Sequence, residues 1–318
     1  MIINQIKPKR YVYTYACHED ERELCQLEMR SFLGMNQNES KVESERKIPL
    51  NRSPFVKERL DVLLEAESLK RLLQMIKDAE IIETTYKVLF IQNEDQGESG
   101  KVGFNERRTI EREIGSTIVG TVDLLNPSIL LGVMKHHNRW LLGYYHKSKA
   151  IWLTHQKKPN NYSTALSTRL ARAIVNIAIP LPNGIKAIDP CCGIGTVLIE
   201  ALSMDIHIVG RDINPLVLPG ARENIAHFGY HTEVILGNIC DVSANYDVAL
   251  IDMPYNLCSV ITTQEKLKMI QSARRFAQKA VIVTVEPMDS VVSAAGFEIV
   301  DRCVVKKGSF KREILVCE

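Results

Sequence analysis

The alternation of helix and strand patterns after residue 165 constrains the fold of this 318-residue chain more than any other feature. A helical pattern at 165–179 comes first, and strand and helix patterns then follow each other regularly. The predicted strands are Lys186–Asp189, His207–Asp212, 232–236, Tyr246–Asp252 and 280–286. Two last apolar segments, at 298–305 and 313–316, are joined by a glycine-containing turn. This pattern predicts a largely parallel sheet with helices on both faces, completed by an antiparallel strand.

The first half of the chain has a different rhythm, in which apolar patterns of both periods are mixed. Its predicted elements are a strand at 11–15, a helix through Leu24, Leu27 and Phe32 that ends at Gly34, a loop at 35–54, a helix at 56–73, a strand at 84–92, a helix at 109–117, and strands at 119–125, 129–134 and 140–145. These elements predict an α+β portion. The chain length suits two domains. We expect them to cover residues 1–154 and 155–318.

The composition restricts the class of protein. No stretch has the run of about eighteen apolar residues that a membrane span requires, and the first residues lack a signal-peptide pattern. We therefore expect a cytoplasmic protein with no membrane partner. The eight cysteines include no Cys-x-x-Cys pair. We interpret them as reduced thiols and expect no metal site, with a redox or metal role as the alternative.

Positive charge is concentrated in the middle of the chain, although the net charge is only +2. Residues 101–172 contain twelve Lys and Arg against four Asp and Glu, and residues 135–172 contain no acidic residue. The aromatic residues of the same stretch are Trp140, Tyr144, Tyr145, Trp152 and Tyr162. Cations that neutralise phosphates and rings that stack on bases suit a nucleic-acid partner. The alternative is a solvated basic face with core aromatics.

A glycine-containing loop follows the first strand of the second half. It begins with Asp189, Pro190 and Cys191 and reaches Gly193, Gly195 and Thr196. Glycines at the carboxyl end of a strand allow a close approach to a nucleotide-like ligand, although a tight structural turn would use them too. Leu198 stands where a dinucleotide fingerprint has its third glycine. Asp189 would repel a phosphate and suits an ammonium group, which favours S-adenosylmethionine.

Polar residues also follow the next two strands. A carboxylate at Asp212 can accept both hydroxyls of a ribose, and its alternative role is an N-cap for the next helix. Ile213 is its apolar neighbour. Asn238 and Ile239 follow the third strand, where they could bracket an adenine edge or simply form a turn.

The segment Asp252, Met253, Pro254 and Tyr255 ends the fourth strand. The lone pair of an exocyclic amine on a base is delocalised, so two acceptors must reorganise it before it attacks a methyl group. The carboxylate of Asp252 and the carbonyl of Met253 could take the two N–H bonds, while Tyr255 stacks on the base. The alternative is a simple exit from the sheet. A base inside a helix is unreachable, so the target must be flipped or unpaired.

These segments resemble the THUMP-domain tRNA guanosine-N2 methyltransferases, which belong with a larger RNA methylase family. The catalytic domain of that family has Asp-Pro-x-x-Gly-x-Gly-Thr and Asp-Pro-Pro-Tyr. Residues 189–196 and 252–255 match both, except that Met253 replaces a proline. Residues 155–159, 162–163 and 170–176 resemble the family's entry into this domain. The first half resembles a ferredoxin-like segment plus a divergent THUMP-type domain, with matches at 114–115 and 122–127.

The resemblance implies an α/β chain with a class I Rossmann-like methyltransferase domain and an N-terminal α+β portion that binds RNA. It implies S-adenosylmethionine as cofactor, tRNA as partner and the N2 amine of a guanosine as target, and no obligate protein partner is expected. An adenine-N6 methyltransferase on DNA or RNA is the first alternative. A nonenzymatic RNA-binding protein with a degenerate domain and a nicotinamide-dependent oxidoreductase are the others.

Overall fold

A computed structural model describes residues 7–34, 41–78, 82–92, 102–254, 261–308 and 310–318. Its strands are β1 (Arg10–Tyr15), β2 (Lys41–Ser44), β3 (Val56–Ala66), β4 (Ile82–Phe90), β5 (Gly120–Val122), β6 (Ile129–His136), β7 (Arg139–Lys147), β8 (Lys186–Asp189), β9 (His207–Asp212), β10 (Val234–Leu236), β11 (Tyr246–Asp252), β12 (Ala277–Thr284), β13 (Ile299–Lys307) and β14 (Phe310–Cys317). Its α-helices are α1 (Arg22–Leu33), α2 (Leu69–Lys77), α3 (Phe104–Thr117), α4 (Thr168–Ala178), α5 (Thr196–Leu202), α6 (Leu218–His227), α7 (Thr263–Phe276) and α8 (Asp289–Ala294). Within the described residues, no helix is both long and apolar enough to cross a membrane.

The chain forms two compact units whose segments alternate along the sequence. The N-terminal unit contains Met1–Ala16, Gln37–Leu50 and Val56–Lys149, and the C-terminal unit contains Cys17–Asn36, Asn51–Phe55 and Ala150–Glu318. The predicted boundary between residues 154 and 155 is therefore close to the last crossover at Lys149. The predicted domain 155–318 leaves out the two earlier segments, Cys17–Asn36 and Asn51–Phe55, that also belong to the C-terminal unit.

The N-terminal unit contains a seven-stranded sheet in the order β2-β1-β3-β7-β6-β4-β5. Helices α2 and α3 belong to the same unit, and Ser68 caps α2 by accepting the Arg71 N–H. A cluster that includes Leu72, Ile110 and Leu131 forms its core. The mixture of strands and helices confirms the α+β prediction for this part of the chain.

Two sequence-based predictions in this unit are wrong. The stretch 56–73, predicted as one helix, contains strand β3 and then begins α2. Strand β3 pairs with β1 on one side and β7 on the other, so hydrogen bonding in the sheet overrides its local helical spacing. Its buried charges Arg59 and Asp61 pair with each other. The predicted loop at 35–54 contains the short strand β2, which pairs with β1, while residues 35–40 lie outside the described residues.

The C-terminal unit contains a seven-stranded sheet in the order β10-β9-β8-β11-β12-β14-β13. The paired strands from β10 to β12 are parallel, and β14 is antiparallel to both β12 and β13. This confirms the predicted parallel sheet and its closing antiparallel strand. The chain order reverses between β8 and β11, which lie side by side. In open α/β sheets a ligand binds at this reversal, beyond the carboxyl ends of the strands.

Candidate active site

A cavity of about 520 Å³ lies at the carboxyl ends of β8, β9, β10 and β11. Its volume is in the range of small-molecule sites. Twelve of the fourteen residues predicted from the sequence line it: Asp189, Pro190, Cys191, Gly193, Thr196, Asp212, Ile213, Asn238, Ile239, Asp252, Met253 and Pro254. Gly195 lies next to the lining residues, and Tyr255 lies outside the described residues. Parallel strands that end at one edge therefore bring together segments that are far apart in sequence.

The loop after β8 depends on glycine conformations. Gly193 has φ of 51° and Gly195 has φ of 81°, both in the left-handed region that favours glycine. Gly195 is the N-cap of α5, and a Cβ there would lie 3.5 Å from Ile225 and 3.6 Å from Ala221 of α6. A Cβ on Gly193 would meet no atom within 4 Å. Positive φ is thus the reason for glycine at 195, since a Cβ there would make only ordinary contacts, whereas Gly193 lines the cavity with its backbone.

Asp212, at the end of β9, connects two loops. Its Oδ2 accepts the Gly193 N–H at 2.8 Å, and its Oδ1 accepts the Asn214 N–H at 2.8 Å. Helix α6 begins at Leu218 with Val217 as its N-cap, so Asp212 does not cap it. Each carboxylate oxygen has a second lone pair, which leaves acceptor capacity that these two hydrogen bonds do not use.

Asp189 lies beneath the glycine loop with 3% of its surface exposed. Its Oδ1 accepts the Cys191 N–H at 3.2 Å. Burial raises the pKa of this carboxyl well above its usual value, and the negative charges of Asp252 and Asp212 raise the pKa further. A cationic ligand beside these three carboxyl groups would relieve their mutual repulsion and lower the pKa of Asp189, whereas a phosphate would add to the repulsion.

Asp252, at the end of β11, has an unpaired oxygen. Its Oδ1 is buried, and no group of the described residues forms a hydrogen bond with it. Burial raises the pKa of Asp252 to about 7, against an opposing effect of the positive charge of Arg312. A buried acceptor without a donor is costly to the fold. Among the buried side-chain atoms of the described residues that lack a partner, Oδ1 of Asp252 and Oγ1 of Thr196 belong to residues that line the cavity.

Met253, the residue after Asp252, is held by both its backbone and its side chain. Its N–H donates to the Val283 carbonyl at 2.9 Å, which extends the pairing of β11 with β12. Its side chain is buried in the core cluster of the C-terminal unit. Pro254 follows on the cavity wall and is exposed. The sheet and the core therefore hold Met253 in place although it stands where the resemblance implies a proline.

Asn238 and Ile239 lie on the wall beyond β10. Asn238 caps a short 3-10 helix by accepting the Cys240 N–H at 2.9 Å, and Ile239 is buried. Ile213, beyond β9, is largely exposed where it lines the cavity. The turn interpretation of Asn238 is thus confirmed, and the same turn places an apolar and a polar side chain on the wall.

Two further walls were not predicted from the sequence. One is the segment before α4, which contributes Tyr162 and residues 164–166, and the other is Ile261 with the first half of α7. The α7 residues on this wall are Glu265, Lys268 and Met269. Thr262 and Glu265 form a capping box, a local signal that could have located the start of α7. No local signal shows that α7 reaches the cavity.

Helix α6 holds one of these walls against the glycine loop. Asn224, fully buried, accepts the Asn160 N–H at 2.8 Å and donates to the carbonyls of Asn160 and Ile194, both at 3.0 Å. Gly220 lies so close to Asn160 that a Cβ would approach its side chain to 3.3 Å. The segment leading to Tyr162 and the glycine loop are therefore positioned by the same side chain.

The strand order, the glycine loop and the acidic cavity define a class I methyltransferase fold. Residues 155–290 match the UPF0020 family, described as an RMKL-like methyltransferase domain. The match covers less than half of the chain and includes both the glycine loop and Asp252.

The chain is also similar to named proteins over part of its length. It is 33% identical to a tRNA (guanine(10)-N2)-dimethyltransferase of Methanothermobacter thermautotrophicus, over 51% of each chain. It is 26% identical to the U6 snRNA (guanine-N(2))-methyltransferase THUMPD2 of Bos taurus, over 37% of this chain and 23% of that protein. The chain thus spans about half the length of the first relative and less than a quarter of the second. The structure of TrmN from Thermus thermophilus matches with a TM-score of 0.49 and 16% identity, over 97% of this chain and 99% of that chain.

Proposed function

We propose that this protein is an S-adenosylmethionine-dependent methyltransferase that modifies the exocyclic N2 amine of a guanosine in tRNA. The observation that carries the proposal is Asp252, whose buried oxygen has no partner in the described structure and lies in one cavity with the glycine loop. The names of the two relatives, both guanine-N2 methyltransferases, support the same target. A tRNA partner and a cytoplasmic location follow from this substrate.

The described residues fit S-adenosylmethionine. Asp189 suits its ammonium group because the charges that act on this buried carboxyl are those of Asp252 and Asp212, and a cation would offset their repulsion. The free lone pairs of Asp212 suit the ribose hydroxyls, and Ile213, Asn238 and Ile239 suit the apolar faces and polar edge of adenine. The backbone at Gly193, where a Cβ would meet no atom within 4 Å, allows close approach. When bound, S-adenosylmethionine supplies an electrophilic methyl group.

Asp252 and Met253 would prepare the amine. The carboxylate of Asp252 accepts one N–H and the carbonyl of Met253 accepts the other, which localises the nitrogen lone pair. The pairing of the Met253 N–H with Val283 and the burial of the Met253 side chain hold this carbonyl in position without the ring of a proline. Because the pKa of Asp252 is about 7, its carboxylate can also take the amine proton as the new bond forms. We propose that Pro254 and Tyr255 contact the base.

The test is methylation of total tRNA by the purified protein with labelled S-adenosylmethionine, followed by mass spectrometry of the nucleosides. N2-methylguanosine or its dimethyl form is expected. N6-methyladenosine would instead support the alternative target, and calorimetry that detects no binding of S-adenosylhomocysteine would support a nonenzymatic RNA-binding protein.

The role of Asp252 needs its own variant. Asp252→Ala should abolish turnover, while affinity for S-adenosylhomocysteine changes by less than about threefold. Asp241→Ala is a matched control, because Asp241 is an exposed carboxylate of the same unit that does not line the cavity. Full activity of Asp252→Ala would refute the assigned role.

A further inference from the structure

The five aromatic residues of the basic stretch have different surroundings. Trp140 packs on Phe90 with ring centroids 6.4 Å apart, and Tyr144 packs against the same core cluster. Tyr145 packs on a second cluster and donates to Glu58 at 2.6 Å. Four of the five are thus held by core packing, since Trp152 is only 2% exposed. Tyr162 differs, because 52% of its surface is exposed.

Tyr162 also has a distinctive location. It lies on the wall of the cavity that contains Asp252 and is the one aromatic side chain among the described lining residues. A large ring that stays exposed on the wall of a concave site has not used its faces for folding. Aromatic rings in such positions are the usual partners of unstacked nucleobases.

The backbone that carries Tyr162 is fixed. Two residues before it, Asn160 makes two hydrogen bonds with buried Asn224. Three residues after it, the N–H of Ala165 donates to the Tyr162 carbonyl at 3.1 Å. A ring on a fixed backbone loses little conformational entropy when a base stacks on it, so little of the free energy of stacking is lost to ordering the protein.

We propose that Tyr162 is a stacking platform for the nucleobase whose amine reaches Asp252. This inference rests on the proposed function and adds a base-binding residue to it. A base that leaves its helix loses stacking on its neighbours, and the Tyr162 ring restores part of that stacking inside the cavity. The contact uses a ring face and no sequence-specific hydrogen bond, so it selects for an extruded base, while Asp252 selects for its amine.

The test compares Tyr162→Ala, Tyr162→Leu and Tyr162→Phe for methylation of total tRNA. Alanine should lower kcat/KM by roughly tenfold to a hundredfold, the range measured for loss of one stacked base. Phenylalanine keeps the ring and should remain within about threefold of the wild type. Leucine keeps apolar area without a ring and should behave like alanine. Equal activity of the alanine and wild-type proteins, or equal loss for phenylalanine and alanine, would overturn the proposal.

A second measurement separates this inference from the proposed function. Affinity for total tRNA is determined by fluorescence anisotropy at saturating S-adenosylhomocysteine, where no turnover is needed. Weaker binding by Tyr162→Ala with unchanged S-adenosylhomocysteine affinity supports the platform even if the wild type methylates a different base. A parallel loss of S-adenosylhomocysteine affinity would place Tyr162 in the cofactor site and refute the platform. Leu181→Ala, which changes an exposed apolar residue of the same unit outside this cavity, is the control.

Discussion

The Oδ2 atom of Asp212 accepts the N–H of Gly193 at 2.8 Å, so the loops after β8 and β9 are joined by one carboxylate. The two residues are nineteen positions apart in the chain. A side chain proposed to bind the ribose therefore also fixes the backbone proposed to lie against the rest of the cofactor. Cofactor affinity should depend on Asp212 through both effects.

Asp212→Ala is expected to weaken S-adenosylhomocysteine binding by at least about a hundredfold. The variant removes the acceptor for ribose hydroxyls and leaves the N–H groups of Gly193 and Asn214 without their partner, and each lost hydrogen bond costs on the order of 1 kcal/mol or more. Calorimetry measures the change. Asp212→Asn should give an intermediate affinity, since its amide keeps one oxygen but turns a donor toward an N–H. Affinity within about threefold of the wild type for the alanine variant would exclude Asp212 from the cofactor site.

The rate of methyl transfer should rise with pH through a value near 7. Burial raises the pKa of Asp252 to about 7. Only the ionised carboxylate can accept a hydrogen bond from the amine and then take up the proton that the amine loses. Single-turnover rates measured from pH 5.5 to 8.5 with saturating substrates test this. The rate should fall about tenfold for each pH unit below 6 and level off above 8. A flat profile would mean that proton acceptance by Asp252 does not limit the chemical step.

Asp252→Asn should have a higher free energy of unfolding than the wild type at pH 8, although it should lose activity. The folded-state pKa of about 7 lies above the usual value of 3.8, so the folded wild type binds the proton more tightly than the unfolded chain. Stability from this group is therefore fully present below pH 3.8, falls as pH rises to about 7, and stays low above that value. The uncharged asparagine avoids this loss. Thermal unfolding should show a higher midpoint for the variant at pH 8 and a smaller difference at pH 5. A constant difference would contradict the pKa assignment.

The C-terminal sheet and most of the residues that line its cavity could be predicted from the sequence because the information is local. The bounds of β8, β9 and β11 are those of the predicted strands, and parallel strands place the residues after them at one edge. The sequence did not indicate which segments of the first half belong to the C-terminal unit. Helix α1 and residues 51–55 join it through contacts with α4 that no periodicity encodes. Arg52, for example, donates to the carbonyls of Ile179 and Pro180 at 2.7 Å, across more than 120 positions.

The basic stretch shows the same limit. Arg172 counts toward its charge, yet only 1% of Arg172 is exposed. Its guanidinium donates to Glu200 at 2.6 Å and to the Arg52 carbonyl at 2.8 Å, while His155 lies 2.7 Å from the other Glu200 oxygen. Sequence reasoning assigned this cation to a possible nucleic-acid surface. Burial and pairing assign it to the interior of the C-terminal unit.

Two arginines of helix α4 allow a matched test of that assignment. Arg172→Met leaves the carboxylate of Glu200 buried without its arginine, which should cost roughly 3–5 kcal/mol of unfolding free energy. Arg169→Met also removes an arginine paired with a glutamate, but this pair with Glu21 is partly exposed and should contribute about 1 kcal/mol or less. Neither variant should directly alter a lining residue of the cavity.

Urea unfolding followed by tryptophan fluorescence measures both variants. The chain has two tryptophans, one in each unit, so a Trp140→Phe background leaves Trp152 to report on the C-terminal unit. Only the unfolding midpoints are compared, because the Arg169 guanidinium lies 5.5 Å from the Trp152 ring centroid and its removal changes the folded-state intensity. A large decrease in the urea midpoint for Arg172→Met and a small one for Arg169→Met are expected. If the two decreases are equal, Arg172 is not a buried structural ion and is again a candidate for binding RNA. Because removal of a partly exposed phosphate contact would weaken tRNA binding with little effect on stability, anisotropy with the same two proteins distinguishes the two roles.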